Sequence, residues 1–309
     1  MATVKPASSA LRVRPPSSTA FQCETPLLMN RLPMLAYVCG RRGLGKGVAT
    51  TNLIENLNVI DRIFYAGPAA DSNSELLKQL GEKVAEEDVF SNLDDKSLLS
   101  TIVERVEAER DDLVRYREEL EQYEAAMEKV HSQTPLFAIP DEELMRFDKG
   151  PPKHRWHGKA PCLLLWLDDI LASSLTTGRG AKELASLCFR HRHVGAFKDN
   201  TPSLGLSIII NGQAFRTVGG VPKAVRANLT LLLLFRTRSG DELKTVAQEV
   251  AHFVPEEAFY KVCEAAWQER HDFLWCDFEP KKDHPTPFRR NFDEWIHPPQ
   301  RLAMEPAPR

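Results

Sequence analysis

The sequence predicts an α/β fold, a mainly parallel sheet covered by helices on both faces, with a long helical insertion. Two observations carry this. The apolar runs, Leu163–Leu167 and Leu229–Phe235 among them, are continuous rather than alternating, as in strands buried on both faces. They also alternate with helical patterns, the order that parallel strands joined by crossover helices require. At 309 residues the chain has room for one large α/β domain with insertions or for two ordinary ones. A hydrophobic content of 42% is that of a globular protein, and a net charge of −3 means that any nucleic-acid binding must come from local basic patches. No apolar run approaches roughly 18 residues, so no membrane span is expected. The six cysteines (Cys23, Cys39, Cys162, Cys188, Cys263 and Cys276) lack paired spacing. Two of them sit in expected buried strands, which points to reduced thiols in an intracellular compartment.

In chain order, Met1 to about Pro26 is rich in Ser, Pro and Ala and has no acidic residue before Glu24. It reads as a disordered tail, with a cleaved targeting peptide of similar composition as the alternative. Next comes LAYVCGRRGLGKGVATTNLIENL, Leu35 to Leu57. A short apolar strand runs into a glycine-rich turn, a lysine and a helix starting near Gly47, the order needed to hold the phosphates of a nucleotide. Gly40, Gly43 and Gly45 permit the tight turn, Lys46 would reach the β- and γ-phosphates, and the helix would aim its positive end at them. The pattern G-x-x-x-x-G-K is complete, but Gly47 stands where a magnesium-binding Ser or Thr is expected. Thr50 and Thr51, a turn further on, would point away from the metal, leaving a water to stand in. Leu44, where a small residue is common, would point outward.

Arg62 to Ala66 is a second strand, followed by a helical stretch around Ser74 to Leu80. Ser97 to Val130 reads as one long helix, because Leu99, Ile102, Val106, Leu113, Tyr116, Leu120, Tyr123 and Met127 recur in steps of three and four, interrupted at Glu109. A helix packed on its own domain or folded into a hairpin is preferred over an arm that reaches another subunit. Asp141 to Lys159 is a charged, Pro-rich connection whose His154 and His157, with Cys162 nearby, make a metal set lacking a fourth ligand and are read instead as surface histidines.

CLLLWLDDI, Cys162 to Ile170, is a buried strand with two aspartates emerging at its carboxyl end. Beside a phosphate loop, Asp168 would hold magnesium and Asp169 would orient and deprotonate the attacking water. The alternative for an isolated strand of this kind is an Asp that caps the next helix. Ala181 to Arg190 is a helix leading to the basic cluster Arg190, His191, Arg192 and His193, either a solvated face or a contact to DNA phosphate or a neighbour's nucleotide. Leu204 to Gln213 is a further strand, with Gln213 placed to report the γ-phosphate or simply to cap the strand. A short helix bearing Lys223 and Arg226, a core strand to Phe235, helices at Asp241–His252 and Glu256–Glu269 and a strand at Phe273–Phe278 complete the pattern. The end is basic and proline-rich.

The order GRRGLGKG, LLLWLDDI, CFRHRHVG, LSIIINGQAFR, VRANLTLLLLF and HDFLWCDF resembles the DNA-packaging ATPases of nucleo-cytoplasmic large DNA viruses, a branch of the FtsK/HerA superfamily of P-loop ATPases, from about Leu35 to Ile296. The resemblance implies a RecA-like P-loop NTPase domain over residues 31–297, with the helical insertion at about 97–130, flanked by tails at 1–30 and 298–309. It implies a homo-oligomeric ring that hydrolyses ATP with Mg2+ and moves double-stranded DNA, without sequence preference, into a capsid through a capsid-protein or portal-like partner. The host cytoplasm or viral factory, and the virion itself, would be its setting. Carried over by position, Gly40, Arg41, Arg42, Gly43, Leu44, Gly45, Lys46, Gly47 and Val48 form the nucleotide loop. Asp168 is the metal acid, Asp169 the water-activating acid and Gln213 the sensor. Arg226 is the candidate for an arginine donated to a neighbour's site, with Arg192 second. Gly47 also supports a different class of reading, a nucleotide-binding scaffold subunit that does not turn over. A small-molecule kinase shares the loop, but the paired acids and Gln213 suit water better than a hydroxyl acceptor.

Overall fold

The computed structural model describes residues 29, 31–68, 73–132, 140–142, 145, 149–171, 173–198, 202–215 and 221–299. The expected tails at 1–30 and 298–309 lie almost wholly outside them. Nine strands among the described residues form one sheet: β1 (Leu35–Cys39), β2 (Arg62–Ala66), β3 (Val89–Phe90), β4 (Leu163–Leu167), β5 (Ser207–Gly212), β6 (Leu231–Phe235), β7 (Phe273–Asp277), β8 (Phe288–Arg290) and β9 (Glu294–Trp295). Their order is β3-β2-β4-β5-β1-β6-β7-β8-β9. Pairings from β3 to β6 are parallel, and β7, β8 and β9 extend the sheet antiparallel. This is the α/β arrangement, a mainly parallel sheet joined by helices, that the alternating pattern predicts. β1 and β4, which carry the phosphate loop and the paired aspartates, are not neighbours, because β5 pairs with both of them.

The helices among the described residues are α1 (Lys46–Leu57), α2 (Ser74–Gln79), α3 (Leu98–His131), α4 (Gly178–Arg190), α5 (Lys223–Arg226), α6 (Gly240–Glu249) and α7 (Glu256–Ala266). Successive strand residues face opposite ways, so the core has two halves. Ala36, Val38, Leu164, Trp166 and Leu233 pack with Leu53, Ile54 and Leu57 of α1 and Leu77 of α2. Leu35, Tyr37, Leu165, Ile208 and Leu234 pack with apolar residues of α3, α4, α6 and α7.

Helix α3 is continuous over 34 residues. Its seam is buried from Leu98 to Leu113 and only half-buried at Leu120, Tyr123 and Met127, so its first half packs on its own domain. Glu109, the break in the apolar repeat, is buried as well. It accepts from Arg62 Nη1 at 2.6 Å and from the Trp156 indole at 2.6 Å. Arg62 also pairs with the fully buried Asp88 at 2.7 Å. His154 is a correction in the other direction, because it is not on the surface. It is 8% exposed, lies over Tyr116 with ring centroids 5.0 Å apart and accepts at Nδ1 from the backbone N–H of Gly158. No metal-binding group of three His, Cys, Asp or Glu exists among the described residues. In the basic end of the chain, Arg289 of β8 is buried and its guanidinium lies 3.9 Å from the Trp295 ring centroid of β9. The five described cysteines are free thiols.

Candidate active site

The parallel strands β1, β2, β4, β5 and β6 deliver their carboxyl ends to one edge of the sheet. Antiparallel β7 brings the segment before its first residue to the same edge. That edge collects the loop after β1, Asn73 after β2, Asp168 and Asp169 after β4, Gln213 after β5, Arg236 to Arg238 after β6, and Arg270 and His271 before β7.

The loop from Gly40 to Gly45 turns sharply, with φ of 77° at Gly43 and 92° at Gly45. Gly40 is required for a separate reason, since a Cβ there would sit 2.7 Å from Phe235 Cβ. Helix α1 begins at Lys46, and Gly45 is its left-handed cap. Arg41, Arg42 and Val48 are exposed, whereas Leu44 is 7% exposed. Leu44 joins the α1-side core instead of pointing outward, because the crown of the loop bends back over that core and its carbonyl lies 3.2 Å from His271 Nδ1.

Lys46 Nζ donates to the carbonyls of Gly40 at 2.7 Å and Arg41 at 3.3 Å. Burial lowers its pKa, while the nearby carboxylates of Asp169 and Asp168 raise it. The lysine and both acids thus lie at the same end of the sheet within electrostatic reach of one another, even though a whole strand separates β1 from β4.

That intervening strand supplies a residue that sequence reasoning missed. Asn211, fully buried near the end of β5, donates from Nδ2 to Asp168 Oδ1 at 2.9 Å and accepts at Oδ1 from Thr50 Oγ1 of α1 at 2.9 Å. Thr50 is thereby tied through Asn211 to Asp168. Thr51 is buried with no hydrogen-bond partner for its hydroxyl among the described residues. Asp168 Oδ2 accepts from Asn73 Nδ2 at 2.8 Å and from Tyr65 Oη at 3.3 Å. Asp169 adopts φ 49°, a left-handed conformation uncommon outside glycine, and accepts from Gln213 Nε2 at 2.8 Å. The only hint of Asn211 in the sequence is a polar residue ending an otherwise apolar run.

The two arginines face inward. Arg226 Nη1 donates to the carbonyls of Val221 at 2.9 Å and Phe215 at 3.3 Å, and its guanidinium lies over the Phe215 ring. Arg192 Nη2 reaches Glu279 at 3.2 Å, a carboxylate also held by Arg31. Glu279 follows β7 and so lies toward the opposite edge of the sheet from the phosphate loop.

Buried Glu242 of α6 accepts from the Phe215 backbone N–H and from Thr237 Oγ1, tying the segment after Gln213 to the segment after β6. On the flank of the loop away from the acids lies a cleft of about 760 Å³, lined by Arg41, Arg42, Arg236, Arg238 and Arg270 together with Leu44 and Glu269.

No protein-family model and no curated protein sequence matches the chain. Among solved structures it is similar to the genome packaging NTPase B204 of Sulfolobus turreted icosahedral virus 2 in complex with AMP, at 13% identity and a TM-score of 0.40, over 85% of this chain and 98% of that one. It is similar to the pCW3 conjugation coupling protein TcpA with ATPγS at 12% identity and a TM-score of 0.43, over 84% of this chain and 60% of that one. It is also similar to the cytoplasmic domain of the Thermomonospora curvata type VII secretion ATPase EccC, at 16% identity and a TM-score of 0.42, over 85% and 25%.

Proposed function

We propose that the protein is an ATP-hydrolysing motor that translocates double-stranded DNA, packaging a viral genome into its capsid. The observation that carries the hydrolytic part is the glycine-rich loop with Lys46 at the start of α1, at the same end of the sheet as Asp168 and Asp169. Backbone N–H groups of the loop and the start of α1 would cradle the phosphates. Lys46 would exchange its bonds to Gly40 and Arg41 for phosphate oxygens. Asp169, its carboxylate fixed by Gln213, would orient the attacking water and take its proton.

The donor set suits Mg2+, since Asp168 offers a carboxylate on the phosphate side and Asn73 a neutral amide beside it. When bound, the ion would neutralise charge on the transferring phosphoryl group.

The DNA role, the ring, the capsid or portal-like partner and the cytoplasmic or viral-factory setting are extensions that rest on the motif order of the sequence. Arg226 or Arg192 could serve a neighbour's nucleotide only by leaving the partners that now hold it. DNA would be gripped through its backbone, so binding should fall steeply with salt and show little sequence preference.

A second reading, favoured by Gly47, is a nucleotide-binding scaffold subunit without turnover. Hydrolysis by the purified protein with and without double-stranded DNA separates the two. DNA-stimulated turnover abolished by Lys46→Ala supports the motor, and nucleotide binding without turnover supports the scaffold.

A further inference from the structure

We infer that Asn73 supplies the oxygen ligand to the nucleotide-bound divalent cation that Gly47 cannot. The inference rests on the nucleotide-hydrolysing reading above and adds a residue from outside every expected motif.

A Cβ on Gly47 would lie 3.0 Å from Leu76 Cδ1 and 3.9 Å from Asn73 Oδ1. The space that a Ser or Thr side chain would enter is thus already bordered by the start of α2, and an oxygen faces it. The amide is fixed by its nitrogen, which donates to Asp168 Oδ2 at 2.8 Å and to Tyr65 Oη at 2.9 Å. A carboxylate oxygen accepts, so the NH2 end must be the end that faces Asp168. The carbonyl end is left turned elsewhere, and it has no hydrogen-bond partner among the described residues.

Asp168 cannot swing away to compensate, because Asn211 holds its other oxygen at 2.9 Å. Asn73 thus turns its carbonyl oxygen toward the side-chain position of residue 47, while its amide nitrogen holds the Asp168 carboxylate. Mg2+ takes oxygen ligands, often only one or two from protein, with phosphates and waters filling the rest. An amide carbonyl is neutral like the hydroxyl it replaces, so the exchange leaves the charge of the site unchanged. A side chain at 47 would require the end of Leu76 to give by a few tenths of an ångström.

The test is the metal dependence of binding, read by fluorescence titration of a labelled, non-hydrolysable ATP analogue in Mg2+ and in EDTA. In the wild type Mg2+ tightens binding. Asn73→Leu loses about tenfold of that gain while its affinity in EDTA stays within about twofold, which also shows that the variant is folded. Adding Gly47→Ser with Leu76→Ala to Asn73→Leu restores the gain. A direct readout on the wild type uses Mn2+ with 13C-labelled asparagine amide carbons: electron–nuclear double resonance gives a ligand coupling that Asn73→Leu removes. Unchanged metal dependence in Asn73→Leu, or no coupling in the wild type, overturns the inference. A wild type that binds no analogue in either buffer overturns the nucleotide reading beneath it.

Discussion

Gln213 Nε2 donates to Asp169 Oδ1 at 2.8 Å, across the gap between the carboxyl ends of β5 and β4. The bond fixes a carboxylate whose backbone is itself held in a left-handed conformation. The sensor-like amide and the water-activating acid thus form one unit.

Gln213→Glu would set a carboxylate against Asp169 and disfavour the ionised base. Turnover is expected to fall on the order of a hundredfold, with nucleotide affinity kept. Gln213→Ala, which removes orientation without adding charge, is expected to cost less. Steady-state kinetics with a parallel binding titration check both, and equal rates in all three proteins would contradict the pairing.

Asn211 joins Thr50 to Asp168 in a buried chain. Asn211→Leu strands a hydroxyl and a carboxylate oxygen, at about 1–3 kcal/mol for each group left unsatisfied. Urea denaturation is expected to show a larger loss for Asn211→Leu than for Thr50→Val, which strands only the Asn211 carbonyl. The reverse order would place the network's weight elsewhere.

Asp277 is predicted to make stability depend on pH. Burial, with Glu279 adding, lifts its pKa to about 6, against the opposing pull of the Glu279 backbone N–H, Arg289 and Lys281. The folded state then binds this proton more tightly than the unfolded chain, so stability falls as pH rises from about 4 to about 6. Asp277→Asn removes the cost, and its advantage over the wild type should grow from near zero at about pH 4 to on the order of 3 kcal/mol at about pH 7. His191, whose pKa burial lowers to about 4, acts with the opposite sign in the same window. The difference between the two proteins is therefore the quantity to measure, and a flat difference would refute the assignment.

Glu109→Leu restores the apolar repeat of α3 but leaves the Trp156 indole and one arm of Arg62 without their carboxylate. A loss of about 3 kcal/mol is expected from chemical denaturation, because removing one member of a buried pair leaves the other uncompensated. A more stable variant would mean that the pair contributes less than the apolar seam.

How far the sequence could be read follows from what each feature does. β1, β4, β5 and β6 were legible because strands buried on both faces leave a continuous apolar run, and the lysine loop because its glycines have a fixed spacing. Strands β3, β8 and β9 were not, being two or three residues long, with Arg289 and Arg290 in β8 hiding the buried face. The insertion of β5 between β1 and β4 is a matter of pairing, and no local pattern encodes it. Glu109 read as a break because burial of a carboxylate depends on partners distant in the chain. Asn73 and Asn211 escaped for the same reason: an amide gains its role from Asp168, 95 and 43 positions away.

The central claim is that Lys46 and Asp169 act on one triphosphate. It is tested most directly by single-turnover hydrolysis of γ-labelled ATP by Asp169→Asn, alongside its nucleotide affinity and that of Lys46→Ala. The account predicts a fall of about a hundredfold or more in hydrolysis for Asp169→Asn with affinity near that of the wild type, and weakened affinity for Lys46→Ala. Hydrolysis undiminished in Asp169→Asn, or affinity untouched by Lys46→Ala, would contradict it.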